Sequence, residues 1–193
     1  MKNKNKNAFQ NMYNRNPDNQ AYIVEISLDN YSELFNGWDA SAIKRRDLEP
    51  EVLNYLEQVG NEIPLKEKIE ICFYLPSHLK DADKELKCIT GVKNNFNIVM
   101  FFTNKSLKHN YRRIITYVFM SVIFLTAAYL LRNLIHSSLL LSISLEGLFI
   151  GGWFLLWESF SLFFFESHEI RKKEKIFKRF LDTDIYFKET KSD

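Results

Sequence analysis

Residues 114–131, IITYVFMSVIFLTAAYLL, form an apolar stretch without a single charge. Residues 139–165 form a second apolar stretch, in which Glu146 and Glu158 are the only charged side chains. A helix of about 20 apolar residues crosses the hydrocarbon core of a bilayer, where its backbone polar groups bond within the helix. The two stretches therefore predict a two-helix transmembrane hairpin over residues 114–165.

The charged residues are concentrated on either side of this hairpin. The net charge is only +2, so the chain lacks the positive excess that draws a protein to nucleic acid, and we expect no nucleic-acid partner. Basic residues cluster just before the first span and just after the second: Lys105, Lys108, Arg112, Arg113, Arg171, Lys172, Lys173, Lys175, Lys178 and Arg179. Between the spans there are Arg132 and His136. By the positive-inside rule, both termini are predicted to face the cytoplasm.

The flanks of the hairpin carry the patterns of a small α/β domain. Segments rich in β-branched and aromatic residues predict three strands, over residues 21–28, 68–75 and 184–188. Helical periodicity predicts three helices: residues 48–59, residues 81–113 running on into the first span, and residues 167–181. We expect Asp47 to cap the first helix and Gly60 to end it.

The predicted fold class is an α+β membrane protein, a transmembrane hairpin with a small cytoplasmic α/β domain built from both flanks. Residues 1–20 are rich in Asn and Lys and are expected to form a disordered tail that contacts anionic lipid headgroups. Residues 21–113 are expected to form the domain with its long helix, and residues 166–193 to complete it. Gly91 is the one weak point of the long helix.

The long helix carries an apolar seam with a spacing of about 3.5 residues. Its members are Leu86, Ile89, Phe96, Val99, Thr103, Leu107 and Tyr111. One interpretation, which we favour, is that the seam packs on the domain's own sheet and C-terminal helix. The other is that it pairs with a second copy of the chain.

Glu146 and Glu158 lie twelve residues apart, which is about 18 Å of helix rise. Because the hydrocarbon core is about 30 Å thick, they are not expected at opposite interfaces. If the span is residues 139–157, Glu146 lies near mid-depth, and if it is residues 148–165, Glu158 lies within. A charge there costs at least about 2.5 kcal/mol, so we expect the buried acid to face a partner helix or a wet cavity, or to be protonated because it is desolvated.

Small residues lie on the same helix stripe as Glu158. Gly147 and Gly151 have the G-x-x-x-G spacing that lets helices approach closely. The predicted intramembrane site comprises Ser144, Glu146, Gly147, Gly151 and Glu158. Either it lines a polar path or an oligomer interface, or it packs the second span against the first.

The densest polar cluster outside the hairpin predicts a binding loop. Its members are Trp38, Asp39, Ser41, Arg46 and Asp47. Asp39 and Ser41 are residue types that form Asx and ST turns, and Arg46 is placed to pair with Asp39 or with a headgroup phosphate. The alternative, which we favour, is a capped structural loop with Trp38 packed on the core.

Three motifs of this chain resemble those of an uncharacterised bacterial family of small two-transmembrane-helix proteins. They are Trp38-Asp39-Ala40-Ser41-Ala42, Arg46-Asp47-Leu48, and Gly147-Leu148-Phe149-Ile150-Gly151-Gly152-Trp153 with Trp157. The resemblance covers most of residues 21–188. Ala42 replaces the family's proline, and Glu158-Ser159-Phe160-Ser161 stands where the family tends to have Arg-Pro-x-Glu. The resemblance implies a two-span protein of the bacterial inner membrane and carries no activity.

The sequence contains no metal motif, phosphate loop, dinucleotide fingerprint or nucleophile elbow. Its histidines are scattered, and the spacing of Cys72 and Cys88 favours buried, reduced thiols over a metal or redox site. We therefore predict a protein that is not an enzyme and needs no cofactor or metal.

Three functions remain open. The favoured one is a non-catalytic bacterial inner-membrane protein whose cytoplasmic domain recruits or senses a partner protein. The second is an oligomeric membrane pore or effector, suggested by the small-residue stripe and an intramembrane acid. The third, a membrane-bound enzyme acting on lipid or nucleotide, rests on Asp39, Arg46 and Asp47 alone.

Overall fold

The computed structural model describes residues 12–132 and 139–190. In chain order, the strands and helices of this part are β1 (Tyr22–Ser27), α1 (Pro50–Glu62), β2 (Ile69–Leu75), α2 (Ala82–Arg132), α3 (Leu139–Ser161), α4 (Ser167–Leu181) and β3 (Asp184–Glu189). A π-helical turn, Leu162–Glu166, joins α3 to α4. The contacts divide the chain into two compact units. One consists of the chain up to Phe102 and from Lys173 onward, and the other is Thr103–Lys172.

The first unit contains a three-stranded parallel sheet in the order β1-β2-β3. Ile71 of the central strand pairs with Val24 on one side and Ile185 on the other. Only Tyr74 of β2 is not buried, which fits the continuous apolar run of a parallel strand covered on both faces. The three predicted strands are confirmed. Because β3 follows the apolar helices in sequence, the sheet needs both flanks of the chain.

One hydrophobic core joins the sheet to three helices. Phe96 of α2 is fully buried, and its ring centroid lies 5.9 Å from that of Phe177 and 5.5 Å from that of Phe180 of α4. Ile89 and Val99 pack against the same core. The interpretation that the seam packs on its own domain is confirmed for these residues. It is wrong for Leu86, whose side chain is exposed.

The second face of the sheet carries polar side chains, and the 12–20 segment, which pairs with the edge of β1 through the Arg15–Tyr22 bridge, reaches one of them. Glu70 of β2 is buried, and its carboxylate accepts hydrogen bonds from the side chains of Asn16, Asn19 and Tyr186. Burial raises the pKa of Glu70, but these hydrogen bonds outweigh it and leave the pKa below its usual value. Residues 12–20 are thus ordered, contrary to the predicted disorder, because they satisfy a buried carboxylate. Residues 1–11 lie outside the described residues.

Helix α1 differs from its prediction at both ends. It begins at Pro50 after Glu49 and has no side-chain cap, so Asp47 does not cap it. It continues past Gly60 to Glu62, and Arg179 of α4 donates to the carbonyl oxygens of Gly60, Ile63 and Pro64 at its C-terminus. The Arg179 guanidinium satisfies carbonyl oxygens that would otherwise lack a donor at the end of α1, so this helix does not need a glycine as its C-terminal cap.

The second unit contains the apolar halves of two long helices. Helix α2 and the continuous helix Leu139–Leu181 are both long and apolar enough to cross a membrane. Their most apolar 18-residue windows have mean hydropathies of 2.2 and 1.9, and only 11% and 6% of these windows is buried within the protein. Each helix contains one of the two apolar stretches from which the hairpin was predicted.

Gly60 is expected to be intolerant of a side chain, because a Cβ there would lie 2.4 Å from Cγ2 of Ile176 and 3.1 Å from Cζ of Phe180. Gly60→Ala should lower the free energy of unfolding by about 1–3 kcal/mol, the usual cost of overpacking a core. Gly37→Ala is the matched control, since nothing lies within 4 Å of its Cβ position. Thermal unfolding in detergent measures both, and equal melting temperatures would contradict the expectation.

Candidate functional site

The loop of residues 36–48 contains all the residues of the predicted binding loop, and it is closed at its base. Phe35 and Leu48 form an isolated antiparallel bridge. The amide of Asn36 donates to the carbonyl oxygen of Asp47 at 2.8 Å. The two ends of the loop are therefore held together, and the residues between them project as one unit.

Asp39 organises the inside of this loop. Its Oδ1 accepts from the amide of Ser41 at 2.9 Å, which is the predicted Asx turn, and its Oδ2 accepts from the amide of Asp47 at 2.8 Å. These hydrogen bonds, with that of Asp47 the strongest influence, hold the pKa of Asp39 below its usual value. Arg46 does not bond to Asp39 but donates through Nε to the carbonyl oxygen of Ser41 at 3.0 Å. The carboxylate is thus occupied by the backbone.

Helix α2 clamps the loop from below. The Asn95 side chain accepts from the amide of Leu48 at 3.0 Å and donates to the carbonyl oxygen of Arg46 at 2.8 Å. Asn94 donates to the carbonyl oxygen of Lys44 at 2.7 Å. A Cβ on Gly91 would lie 2.6 Å from the carbonyl oxygen of Ile43, so only glycine permits this approach.

Sequence reasoning missed this clamp. Gly91 was interpreted as a weak point of a helix, whereas its missing side chain makes room for the loop backbone. The adjacent Asn94 and Asn95 were the available signal, because asparagine is unfavourable inside helices unless its side chain has a specific partner.

Trp38 is 97% exposed at the far side of the loop. The prediction that it packs on the core is wrong, because the Asp39 turn and the Asn95 clamp hold the loop without it. Lys44 and Arg45 are also exposed. The loop thus uses its polar groups to fix its own shape and presents a tryptophan and two cations to the surroundings.

In the second unit, α2 and α3 come into close contact at Gly152. A Cβ there would lie 2.8 Å from Cγ of Leu125, and the Ser121 hydroxyl donates to the Gly152 carbonyl oxygen at 2.7 Å. The predicted pair Gly147 and Gly151 does not make this contact. Nothing lies within 4 Å of a Cβ on Gly147, and one on Gly151 meets Phe124 at an ordinary 3.5 Å. The close contact falls one residue beyond the predicted motif.

The position of Gly152 also places the two acids. Glu146 and Glu158 lie six residues before and after Gly152, or about 9 Å along the helix. Since Gly152 contacts α2 at Ser121 and Leu125, Glu158 is level with residues 115–119 and Glu146 with residues 127–131. Both acids are therefore level with the ends of the 114–131 stretch and neither is level with its centre, while the two predicted registers, which concern depth in a bilayer, stay predictions.

Each end of the helix pair carries polar groups. At one end, Asn110 is buried and donates to the Leu162 carbonyl oxygen at 3.2 Å and to the Ser167 hydroxyl at 3.1 Å. At the other end, a cleft of about 660 Å³ lies between the helices. Its lining includes Tyr129, Arg132 and Glu146. Ser144 and Gly147 are exposed on α3.

No protein-family model, curated protein or solved structure matches the chain.

Across residues 12–132 and 139–190, no three His, Cys, Asp or Glu side chains are grouped to hold a metal ion. Cys72 and Cys88 are buried and unpaired, and burial raises the pKa of each thiol to about 11. Of the four histidines, His136 lies outside the described residues.

Gly152 and Gly147 form a matched pair for testing the helix contact. Gly152→Ala should lower the melting temperature in detergent, because its Cβ meets Leu125 at 2.8 Å and overpacking costs about 1–3 kcal/mol. Gly147→Ala, on the open side of the same helix, should leave the temperature unchanged or slightly raised. If Gly147→Ala lowered the melting temperature more than Gly152→Ala, the result would support the predicted G-x-x-x-G contact instead.

Proposed function

We propose that this protein is a non-catalytic recruitment protein of the bacterial inner membrane. In this proposal, the apolar halves of α2 and α3 anchor the chain as a hairpin with both termini in the cytoplasm. The 36–48 loop then binds a cytoplasmic partner protein. The resemblance to the two-span bacterial family supports the same location and architecture.

The anchor rests on exposed apolar surface. The apolar windows of both helices are almost entirely uncovered by protein, and soluble proteins rarely expose contiguous apolar patches above a few hundred Å². Lipid is the solvent that removes this cost. The basic residues on both outer flanks favour cytoplasmic termini.

The positions of the acids are compatible with such an anchor. If the Gly152 contact lies at the bilayer centre, each acid is about 9 Å from it, and the hydrocarbon core extends about 15 Å to each side. Glu146 and Glu158 then lie about one turn below the headgroups, which their side chains approach by snorkelling. No carboxylate occupies the centre, where it would cost most.

The single observation that carries partner binding is the 97% exposure of Trp38 on a loop held by its own hydrogen bonds. Tryptophan and arginine dominate the energy of protein interfaces when a partner covers them. A loop that is already ordered loses little entropy on binding. The geometry favours binding over catalysis, because the Asp39 carboxylate already accepts two backbone hydrogen bonds.

Trp38→Ala tests the loop. A photo-crosslinking residue in place of the exposed Lys44 of the same loop should capture a discrete protein in intact cells, and Trp38→Ala should abolish that capture and the co-purification of that protein without lowering the melting temperature. The matched control is Leu86→Ala, which removes another exposed apolar side chain of the same unit. Asn95→Ala should weaken capture partially by loosening the loop. Equal capture by Trp38→Ala and the wild type would exclude this surface.

The cleft beside Glu146 favours a second function, an oligomeric pore. A polar cleft of about 660 Å³ between apolar helices is the kind of feature that several copies would join into a path. Proteoliposomes should then show ion flux that Glu146→Gln lowers and Gly147→Ala leaves intact. Absence of flux from the wild type would eliminate the pore and leave recruitment untouched.

A further inference from the structure

Helix α2 leaves one apolar patch of the first unit uncovered. Ile98, Phe101 and Phe102 are 43%, 64% and 57% exposed, although Phe96 on the opposite side of the helix is fully buried. The spacing of the three residues puts them on one face. We call them the phenylalanine patch.

The domain core is complete without this patch, since α2 contributes Cys88, Val92 and Phe96 to it. Lipid is a poor candidate for covering the patch. The residues between Phe102 and the apolar stretch include Lys105, Lys108, Arg112 and Arg113, so the patch is separated from that stretch by basic sequence. A partner with a polar surface would leave the rings of Phe101 and Phe102 in contact with water.

We propose that the phenylalanine patch is the surface on which two copies of this protein pair in parallel. This rests on the membrane anchoring proposed above and is independent of the Trp38 loop. Anchored copies share one orientation in the bilayer, so the same face of α2 can meet its counterpart in register around a twofold axis. A face that pairs with itself needs no second protein.

The size of the patch favours a second copy over a soluble partner. A stable interface between freely diffusing proteins buries about 800 Å² on each side, far more than three side chains supply. Copies confined to one membrane have a high effective concentration, so a small contact is sufficient.

The charge pattern favours self-pairing as well. Residues 94–102, NNFNIVMFF, contain no charged side chain. Two parallel copies of this segment therefore bring no like charges together within it, and the first like-charge pair on this face is formed by Lys105, seven residues beyond Ile98. Phe101 and Phe102 already pack edge to face, with centroids 5.5 Å apart, and present a preformed aromatic surface to the second copy.

Cysteine cross-linking in native membranes tests the pairing in the full chain. Phe102→Cys should form a disulfide-linked dimer under mild oxidation, whereas Leu86→Cys, on an exposed position of the same helix, should not. The native cysteines are fully buried and provide a low background. Phe101→Ala in the Phe102→Cys background should weaken dimerisation about tenfold, the effect of losing one hot-spot side chain.

Three results would overturn the proposal. These are a cross-link at position 86 as efficient as that at 102, monomers alone in membranes, or a cysteine at 102 that lipid shields from a hydrophilic maleimide in dilute proteoliposomes. Trp38→Ala should leave the dimer intact, which separates this proposal from the recruitment loop. Recovery of the wild-type chain in the soluble fraction would instead show that the anchoring had failed.

Discussion

The packing of Phe96 against Phe177 and Phe180 joins two parts of the chain that the apolar helices separate in sequence. This contact brings α4 to the core, and β3 follows α4 directly and pairs with β2. The sheet therefore lacks its third strand until the chain has passed through both apolar helices. A domain with such long-range contacts loses loop-closure entropy before its core forms, and burial of the apolar core, the aromatic cluster included, compensates for that loss.

The two faces of the sheet bury different kinds of side chain. The helical face buries apolar side chains, whereas the opposite face buries Glu70, which accepts hydrogen bonds from Asn16 and Asn19. A buried carboxylate is tolerable only when its oxygens have donors, and two asparagines and a tyrosine supply them. Residues 12–20, which belong to the predicted polar tail, are therefore part of the fold.

The loop of residues 36–48 and the helix pair both depend on glycine, for the same steric reason. Gly91 lets a loop carbonyl oxygen approach α2, and Gly152 lets α3 approach Leu125. In each case an asparagine or serine hydrogen bond fixes the geometry that the missing side chain permits. Trp38 and the phenylalanine patch lie outside these contacts and are exposed.

The sequence by itself determined the elements whose signals are local. Uninterrupted apolar runs identified the two membrane-length helices, and residue type with periodicity located the strands and the helix at residues 167–181. Tertiary structure alone decided which groups meet. The exposure of Trp38, the burial of Glu70 and the choice of Gly152 over Gly147 each depend on a partner from a distant part of the chain. A periodic pattern states which face of a helix is apolar or small, but only packing selects the residue on that face that makes the contact.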